Sequence, residues 1–436
     1  MRQLRELIAR NRAGSAEAMP SVCSAHPDVL AASLLLADEA GVPLLVEATS
    51  NQVNQYGGYT GMKPADFISF VRGIAHAHGI DSAQVLFGGD HLGPQAWRDQ
   101  PADVAMTKAR DLVEAYARAG FTKIHLDCSE GCANEAAQVG DRISAVRAAE
   151  LAAVCEASAG DPEAVSYVFG TEVPSPGGAR AADDEDGVTP TTPESALATI
   201  AAHREAFSAV GLENTAWQRA VGLVLQPGLE FTPDHVHHFH IDAPDELSQV
   251  LSAHEGLCFE AHSTDYQEPA VFPELARRHF AVLKVGPALT NAYRKATYAL
   301  DAVAWWVSRD AEREPLPNVM EALMLESPKA WARHYTGDAA ELYLLRHFSY
   351  ADRIRYYWTK PRAAAAVERI LSVLSVRRVP PTVLEQHFNP AVLARADGLE
   401  ARAENWTRAL IFAQIQEALA PYFATVVPAD DWLNAG

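Results

Sequence analysis

The sequence predicts an α/β chain built as a (β/α)8 TIM barrel with a helical C-terminal extension. Two observations carry this. Short apolar runs alternate with Gly-rich or polar loops and amphipathic helices through the first three quarters of the 436 residues, and eight such runs can be counted. Eight βα units within about 290 residues fit a closed barrel, which takes roughly 250 residues. A third observation removes the main competitor: no G-x-G-x-x-G follows the first run, as a dinucleotide-binding open sheet would require. No G-x-x-x-x-G-K-[ST] phosphate loop is present either. The barrel is assigned to residues 1–314 and the extension to residues 315–436.

The strands are expected near Ser21 to Ala25, Leu44 to Ala48, Val85 to Gly88, Lys123 to Asp127, Val165 to Gly170, Val221 to Gln226, Leu257 to Ala261 and Val282 to Val285. Between them lie helices with recognisable starts and stripes. Pro64 opens one that carries Phe67, Phe70, Val71 and Ile74 on one side. Ala105, Ala109, Leu112, Val113 and Tyr116 form a second stripe that ends at Gly120. Thr192 and Pro193 make an N-cap and first turn before Leu197, Ile200 and Phe207. From about Pro315 onward helix follows helix, punctuated by Pro328, Pro361, Pro380, Pro381 and Pro390. Tyr356, Tyr357 and Trp358 read as the surface by which this extension meets the barrel or another subunit, and Asp183 to Asp186 as a solvated acidic loop.

Composition narrows the function. Hydrophobic residues make up 48% and charged residues 21%, enough to bury a large core. Lys and Arg number 36 against 56 Asp and Glu, a net charge of −20 that repels phosphate backbones and anionic lipid alike. Neither nucleic acid nor a membrane is therefore an expected partner. Five cysteines, an odd and sparse set, read as free thiols in a reducing, cytoplasmic setting. The opening MRQLRELIARNRAG lacks the apolar stretch of a secretion signal.

In such a barrel the reactive residues sit where the strands end. The third strand runs into GGDHLGP with Asp90 and His91, and the fourth is KIHLDCSE with Asp127 at its end and His125 two residues earlier on the same face. Glu172 follows the fifth strand, Gln226 and Glu230 the sixth, and Glu260, His262 and Asp265 the seventh, while Glu47 ends the second. Carboxylates gathered at a barrel mouth repel one another unless cations balance them, so a divalent metal is expected. Imidazole mixed with carboxylate suits zinc first, with manganese, nickel, cobalt, iron or magnesium as alternatives to it, rather than calcium. His91 and His262 are the leading ligand candidates, with Glu172 next.

Three further features draw weaker readings. His235, His237, His238 and His240 read as a surface cluster, and Cys128 and Cys132 lack a second pair for a metal site. Lys284, inside the eighth strand, would form a Schiff base only with a neighbour that lowers its pKa. A phosphate site is expected at the loops after the seventh and eighth strands, with Ser263, Thr264, Gly286, Thr290 and Asn291 as donors and Arg353 or Arg355 brought over the top.

The segments SVCSAHP, VEATSNQVNQYGGYTGM, GGDHLGP, KIHLD, GTEVPSPGG, QPGLEF, EAHSTDYQ, LKVGPALT and DRIRYYW, in this order, closely resemble the Z-type (GatZ/KbaZ-like) subunit family of class II D-tagatose-1,6-bisphosphate aldolase. The resemblance spans nearly the whole chain. It implies a barrel akin to the class II aldolases, whose catalytic chains hold zinc with three histidines and use an aspartate beside the first as acid/base. Asp90 and His91 match that pair, His262 matches the last histidine, and Glu172 stands where the middle histidine would be. The implied activities are two. One is a metal-dependent ketohexose 4-epimerase that interconverts D-tagatose and D-fructose, or their 6-phosphates, by retro-aldol and aldol steps. The other is a non-catalytic subunit that stabilises a separate aldolase chain. On the first, His91, Glu172 and His262 hold the metal, Asp90 moves a proton at the C4 oxygen, and Asp127 or Glu230 supplies a second acid/base or binds a hydroxyl. Glu47, Gln226, Ser263, Thr264, Asp265, Gly286, Thr290 and Asn291 then contact substrate. The expected partners are a sugar or sugar phosphate, an aldolase catalytic subunit on the second reading, and further copies of the chain as a homo-oligomer.

Overall fold

In a computed structural model describing residues 2–171, 188–310, 312–376 and 378–426, eight parallel strands close on themselves. They are β1 (Met19–Val22), β2 (Leu44–Thr49), β3 (Val85–Leu92), β4 (Lys123–Asp127), β5 (Ser166–Gly170), β6 (Ala220–Leu225), β9 (Cys258–Ala261) and β10 (Phe280–Val285). The barrel order is β1-β10-β9-β6-β5-β4-β3-β2. Each strand is buried along its length, because helices cover the outside and side chains fill the lumen. The first strand begins two residues before the expected start, where Met19 pairs with Val282.

The helices α2 (Pro27–Ala40), α3 (Pro64–Ala77), α4 (Ala102–Ala119), α5 (Asp141–Ser158), α6 (Pro193–Ala209), α7 (Val271–Arg277) and α8 (Pro287–Ser308) follow seven of the eight strands. The sixth connection departs from the expected unit. After β6 come a two-stranded hairpin, β7 (Glu230–Phe231) and β8 (Val236–His237), and a short 3-10 turn at Ser248–Ala253. Prolines and histidines crowd this stretch and no helical stripe runs through it. In α6 the buried face is Ala196, Thr199, Ile200, His203, Ala206 and Phe207, so Leu197 falls on the outer side and is 45% exposed, against expectation.

One helix stands outside the repeat. In α1 (Arg2–Arg12), Leu4, Leu7 and Ile8 join Met19, Leu45, Leu86, Val168, Val224 and Ala281 in a small apolar cluster at the N-terminal end of the barrel. Arg5 donates to Ser166 Oγ at 2.9 Å, and Asn11 to the Ala276 carbonyl at 2.8 Å. This helix packs against the N-terminal end of the barrel.

The extension comprises α9 (Leu316–Glu326), α10 (Ala339–Phe348), α11 (Pro361–Ser375), α12 (Pro381–Leu384), α13 (Pro390–Leu399) and α14 (Trp406–Phe423). The last of these packs on α2 and α8. Gln416 donates to the Ala32 carbonyl at 2.9 Å, Arg408 pairs with Asp28 at 2.6 Å, and one apolar core runs through barrel and extension together. Trp358 packs edge-on against Tyr293 of α8 and Tyr356 against Tyr59, so the expected aromatic contact is with the barrel. No helix among the described residues is long and apolar enough to cross a membrane.

Candidate active site

Two adjacent residues can face one lumen only where a strand is irregular. The register between β3 and β4 shifts between Gly89 and Leu92, and His91 takes a left-handed conformation with φ 47°. This bulge turns both Asp90 and His91 toward the pocket, where regular alternation would send them to opposite faces. Glycines make it fit. A Cβ on Gly93 would lie 1.7 Å from the Asp127 carbonyl oxygen, and one on Gly88 would lie 2.7 Å from Glu47 Cγ.

Three imidazoles meet above this bulge. The ring centroids of His91, His125 and His262 lie 5.2 Å, 5.1 Å and 5.2 Å apart, a nearly equilateral triangle. Each ring has its own carboxylate: His91 Nδ1 lies 2.7 Å from Asp127 Oδ2, His125 Nδ1 lies 2.9 Å from Asp90 Oδ1, and His262 Nε2 lies 3.0 Å from Glu260 Oε1. His125 Nδ1 also accepts from the His91 backbone N–H at 3.2 Å, and His91 Nε2 lies 3.5 Å from Asp90 Oδ2. His125 Nε2 is buried with no hydrogen-bond partner. One ligand atom each from Asp90, His125, Glu260 and His262 also falls within 4.8 Å of the others.

Below the imidazoles lies an ionic layer. Lys123 Nζ is 2.8 Å from Glu47 Oε1 and 2.8 Å from Glu260 Oε2, with all three side chains fully buried. Lys284 Nζ contacts Asp90 Oδ1 and lies 3.3 Å from Glu47 Oε2 and 3.6 Å from Glu260 Oε1. Ser21 donates to Glu47 at 2.6 Å. Burial alone would neutralise these groups, but the neighbours win. Lys123 and Lys284 hold Glu260 well below the usual carboxylate range, and His91 and Lys284 do the same for Asp90. Asp90, Cys23 and Glu47 raise Lys284 well above its ordinary value against burial. An amine so held is a fixed cation, so the neighbour that Schiff-base chemistry needs is missing.

Charge counting tests the expected metal. Glu47, Asp90, Asp127 and Glu260 are buried carboxylates, while Lys123 and Lys284 are the buried ammonium groups facing them. Two negative charges remain in excess. Asp90 and Asp127 accordingly raise the His91 pKa despite burial, whereas burial and Lys284 push His262 down to about 3. A proton on His91 offsets one of the two charges; a divalent cation among neutral imidazoles offsets both. The residues whose ligand atoms converge, Asp90, His125, Glu260 and His262, could therefore hold a divalent ion, with His91 beside them.

Above the triangle opens a cleft lined by both polar and aromatic side chains. Of the expected residues, Asp90, His91, His262, Ser263, Asp265, Gly286, Thr290 and Arg355 line it. Others are placed elsewhere. Glu47 sits in the ionic layer. Both oxygens of Asp127 are engaged, by His91 and by Ser129, so it orients His91 from behind. Gln226 Oε1 accepts from the backbone of Gly228 and Leu229 and shapes a turn. Glu230 Oε1 accepts from the Phe231 backbone at 2.9 Å, and Phe231 rather than Glu230 lines the cleft. Thr264 Oγ1 donates to the Lys284 carbonyl at 2.6 Å, and Asn291 lines a separate cavity beside α14. Arg353 is turned away from the cleft and bonds the Ala330 carbonyl. Glu172 and the acidic stretch Asp183 to Asp186 lie outside the described residues. The imidazole that completes the triangle is His125, which sequence reasoning placed on the lumen face without naming it a ligand. Cys23, Gln52, Tyr59 and Tyr356 are cleft residues that it missed.

Comparison with known proteins agrees with this architecture. The family model described as D-tagatose-1,6-bisphosphate aldolase subunit GatZ/KbaZ-like matches residues 4–427. A protein from Agrobacterium fabrum named D-tagatose 6-phosphate 4-epimerase is 46% identical over 424 residues, which cover 97% of each chain. A crystal structure described as a probable tagatose 6 phosphate kinase from Sinorhizobium meliloti superposes with a TM-score of 0.84 at 44% identity, covering 94% of this chain and 100% of that one. The chain belongs to the GatZ/KbaZ-like family.

Proposed function

We propose that this member of the family is a ketohexose 4-epimerase that interconverts D-tagatose and D-fructose as their 6-phosphates. The observation that carries the reading is Asp90, an ionised carboxylate at the pocket floor beside three carboxylate-paired imidazoles. The 46% identical relative is named for this activity.

In a 2-ketose the C4 hydroxyl is β to the carbonyl, so C3–C4 cleavage leaves an enediolate and an aldehyde. His125 and His262, with His91 beside them, would hold a divalent ion, zinc suiting imidazole and carboxylate donors first, and when bound it would supply Lewis acidity at the C2 carbonyl oxygen. Asp90 takes the proton of the C4 hydroxyl as the C3–C4 bond breaks, and the electron pair of that bond passes to the enediolate. The aldehyde turns over, C3 attacks its other face, and Asp90 returns the proton to the new C4 oxygen. Lys284 keeps Asp90 ionised and aimed at the pocket. Arg355 also lines the cleft, where it would meet a sugar phosphate. Five unpaired cysteines fit a reducing, cytoplasmic location.

The test is incubation of purified, zinc-loaded protein with D-tagatose 6-phosphate, watching by ¹³C NMR for D-fructose 6-phosphate. Asp90→Asn and His91→Ala should lose turnover and keep the fold by circular dichroism. Retained rates in both would remove the proton-transfer and ligand roles. The family description as an aldolase subunit supports a second reading. On it, the isolated chain converts nothing with any divalent metal and gains a role only when a class II aldolase catalytic chain is added.

A further inference from the structure

The helix start after the eighth barrel strand is the usual seat for a phosphate, but here a carboxylate occupies it. Asp265 Oδ1 accepts from the backbone of Gly286 at 3.0 Å and of Ala288 at 2.8 Å, and Thr290 Oγ1 beside them donates to Asp352 Oδ2 at 2.5 Å. A phosphoryl dianion placed there would meet two carboxylates.

A second chamber of about 890 Å³ adjoins the cleft and shares Ser24, Tyr59, Thr290 and Arg355 with it. We propose that this chamber, between Arg355, the start of α2 and the indole N–H of Trp358, holds the terminal phosphoryl group of the substrate. The inference rests on the epimerase reading and assigns the phosphorylated sugar as the substrate that the fold was built to take.

Three independent features converge there. Arg355 makes no ion pair within 4 Å of a carboxylate among the described residues; the Ala351 and Asp352 carbonyls and the Tyr356 hydroxyl fix its guanidinium from behind. The 14-residue α2 starts at the chamber wall, its N-cap His26 making no side-chain cap, and Asp28 in its first turn is turned to Arg408. Trp358 is 5% exposed, and its Nε1, a donor only, has no partner. A buried donor left unbonded costs free energy that an acceptor in the chamber would recover. The chamber's carboxylates, Asp28 and Glu368, are both engaged by Arg408, at 2.6 Å and 3.1 Å, and neither makes an ion pair with Arg355.

Two measurements on the full chain decide it. The first is calorimetric binding of inorganic phosphate to wild type, Arg355→Gln and Trp358→Phe, the latter keeping the aromatic packing on Tyr293. The second is the ratio of kcat/KM for D-tagatose 6-phosphate to that for D-tagatose in the same proteins. The expected result is a drop in phosphate affinity and in the ratio of about 100-fold for Arg355→Gln and about 10-fold for Trp358→Phe. An unchanged ratio with unchanged phosphate affinity would overturn the assignment. So would phosphate binding that ignores Arg355→Gln and strengthens in Asp265→Asn, which would return the anion to the start of α8. If wild type epimerises neither sugar, the phosphate titration still decides the subsite, so failure of the activity and failure of the subsite read out separately.

Discussion

Replacing Lys123 by Met removes the nearer of two ammonium groups that bridge two fully buried carboxylates. Its Nζ lies 2.8 Å from both Glu47 and Glu260. In the variant those acids keep only Lys284, which lies 3.3 Å and 3.6 Å from them and already serves Asp90. Breaking a buried pair by removing one partner costs about 3–5 kcal/mol. Partial cover by Lys284 places this variant at the low end, about 3 kcal/mol, read as the change in unfolding free energy in urea at pH 7 with metal removed. Because Glu260 also orients His262, zinc affinity should fall about 10-fold to 100-fold, the usual effect of losing a partner behind a ligand. The double variant Lys123→Met, Glu260→Gln separates charge from packing: the two changes should couple by about 1–3 kcal/mol. A loss below about 1 kcal/mol, with zinc affinity intact, would show that the layer is no more than a solvated ion pair and would refute the reasoning.

His125→Ala should weaken zinc binding at least about 100-fold in a competition titration, more than loss of an outer partner would. Borohydride added during turnover should leave no covalent adduct on Lys284, detectable by intact mass, because Asp90, Cys23 and Glu47 keep its amine protonated. His203 is fully buried on α6 with its pKa pushed down from 6.5 to about 4 by burial. The unfolded chain therefore takes up that proton first as pH falls below 6.5. Stability should drop between pH 6.5 and pH 4 by about 3 kcal/mol from this group, and His203→Phe should remove that part of the slope in urea titrations.

The lumen of this barrel was readable as a period of two, once the strands were placed. Leu45, Glu47 and Thr49 share one face of β2; Lys123, His125 and Asp127 share one face of β4; Cys258, Glu260 and His262 continue one another at β9; Val282, Lys284 and Gly286 do so at β10. Reading each series from its start gives an apolar or ionic floor and a polar mouth. That arithmetic already put His125 beside Asp127. Strand-end position alone does not mark His125 as a ligand, although an inward residue one pleat below the rim can reach the same height. What the period could not show was the bulge at His91, since a left-handed histidine carries no sequence signature of its own. Nor could it show the capture of the α8 amides by Asp265, a contact between two loops whose meeting depends on the closed barrel. The sixth βα unit failed for the reverse reason: a repeat was extrapolated across a stretch that has no helical stripe.

The two polar layers also explain each other. Four carboxylates in one lumen would each compete for a cation, and Glu47 and Glu260 would draw it down into the barrel if they were free. Lys123 sits 2.8 Å from both of those, and Lys284 contacts Asp90 while lying 3.3 Å and 3.6 Å from them, so the two ammonium groups fall short of the four carboxylates, Asp127 being the one beside neither. An ion would then be held at the height where Asp90 faces the pocket. An apolar layer under the histidines would give the barrel equal or greater stability, but it would leave Glu260 unable to hold His262 and Asp90 without the ammonium that keeps it charged. The ionic layer is therefore better understood as the support of the site above it than as a device for stability.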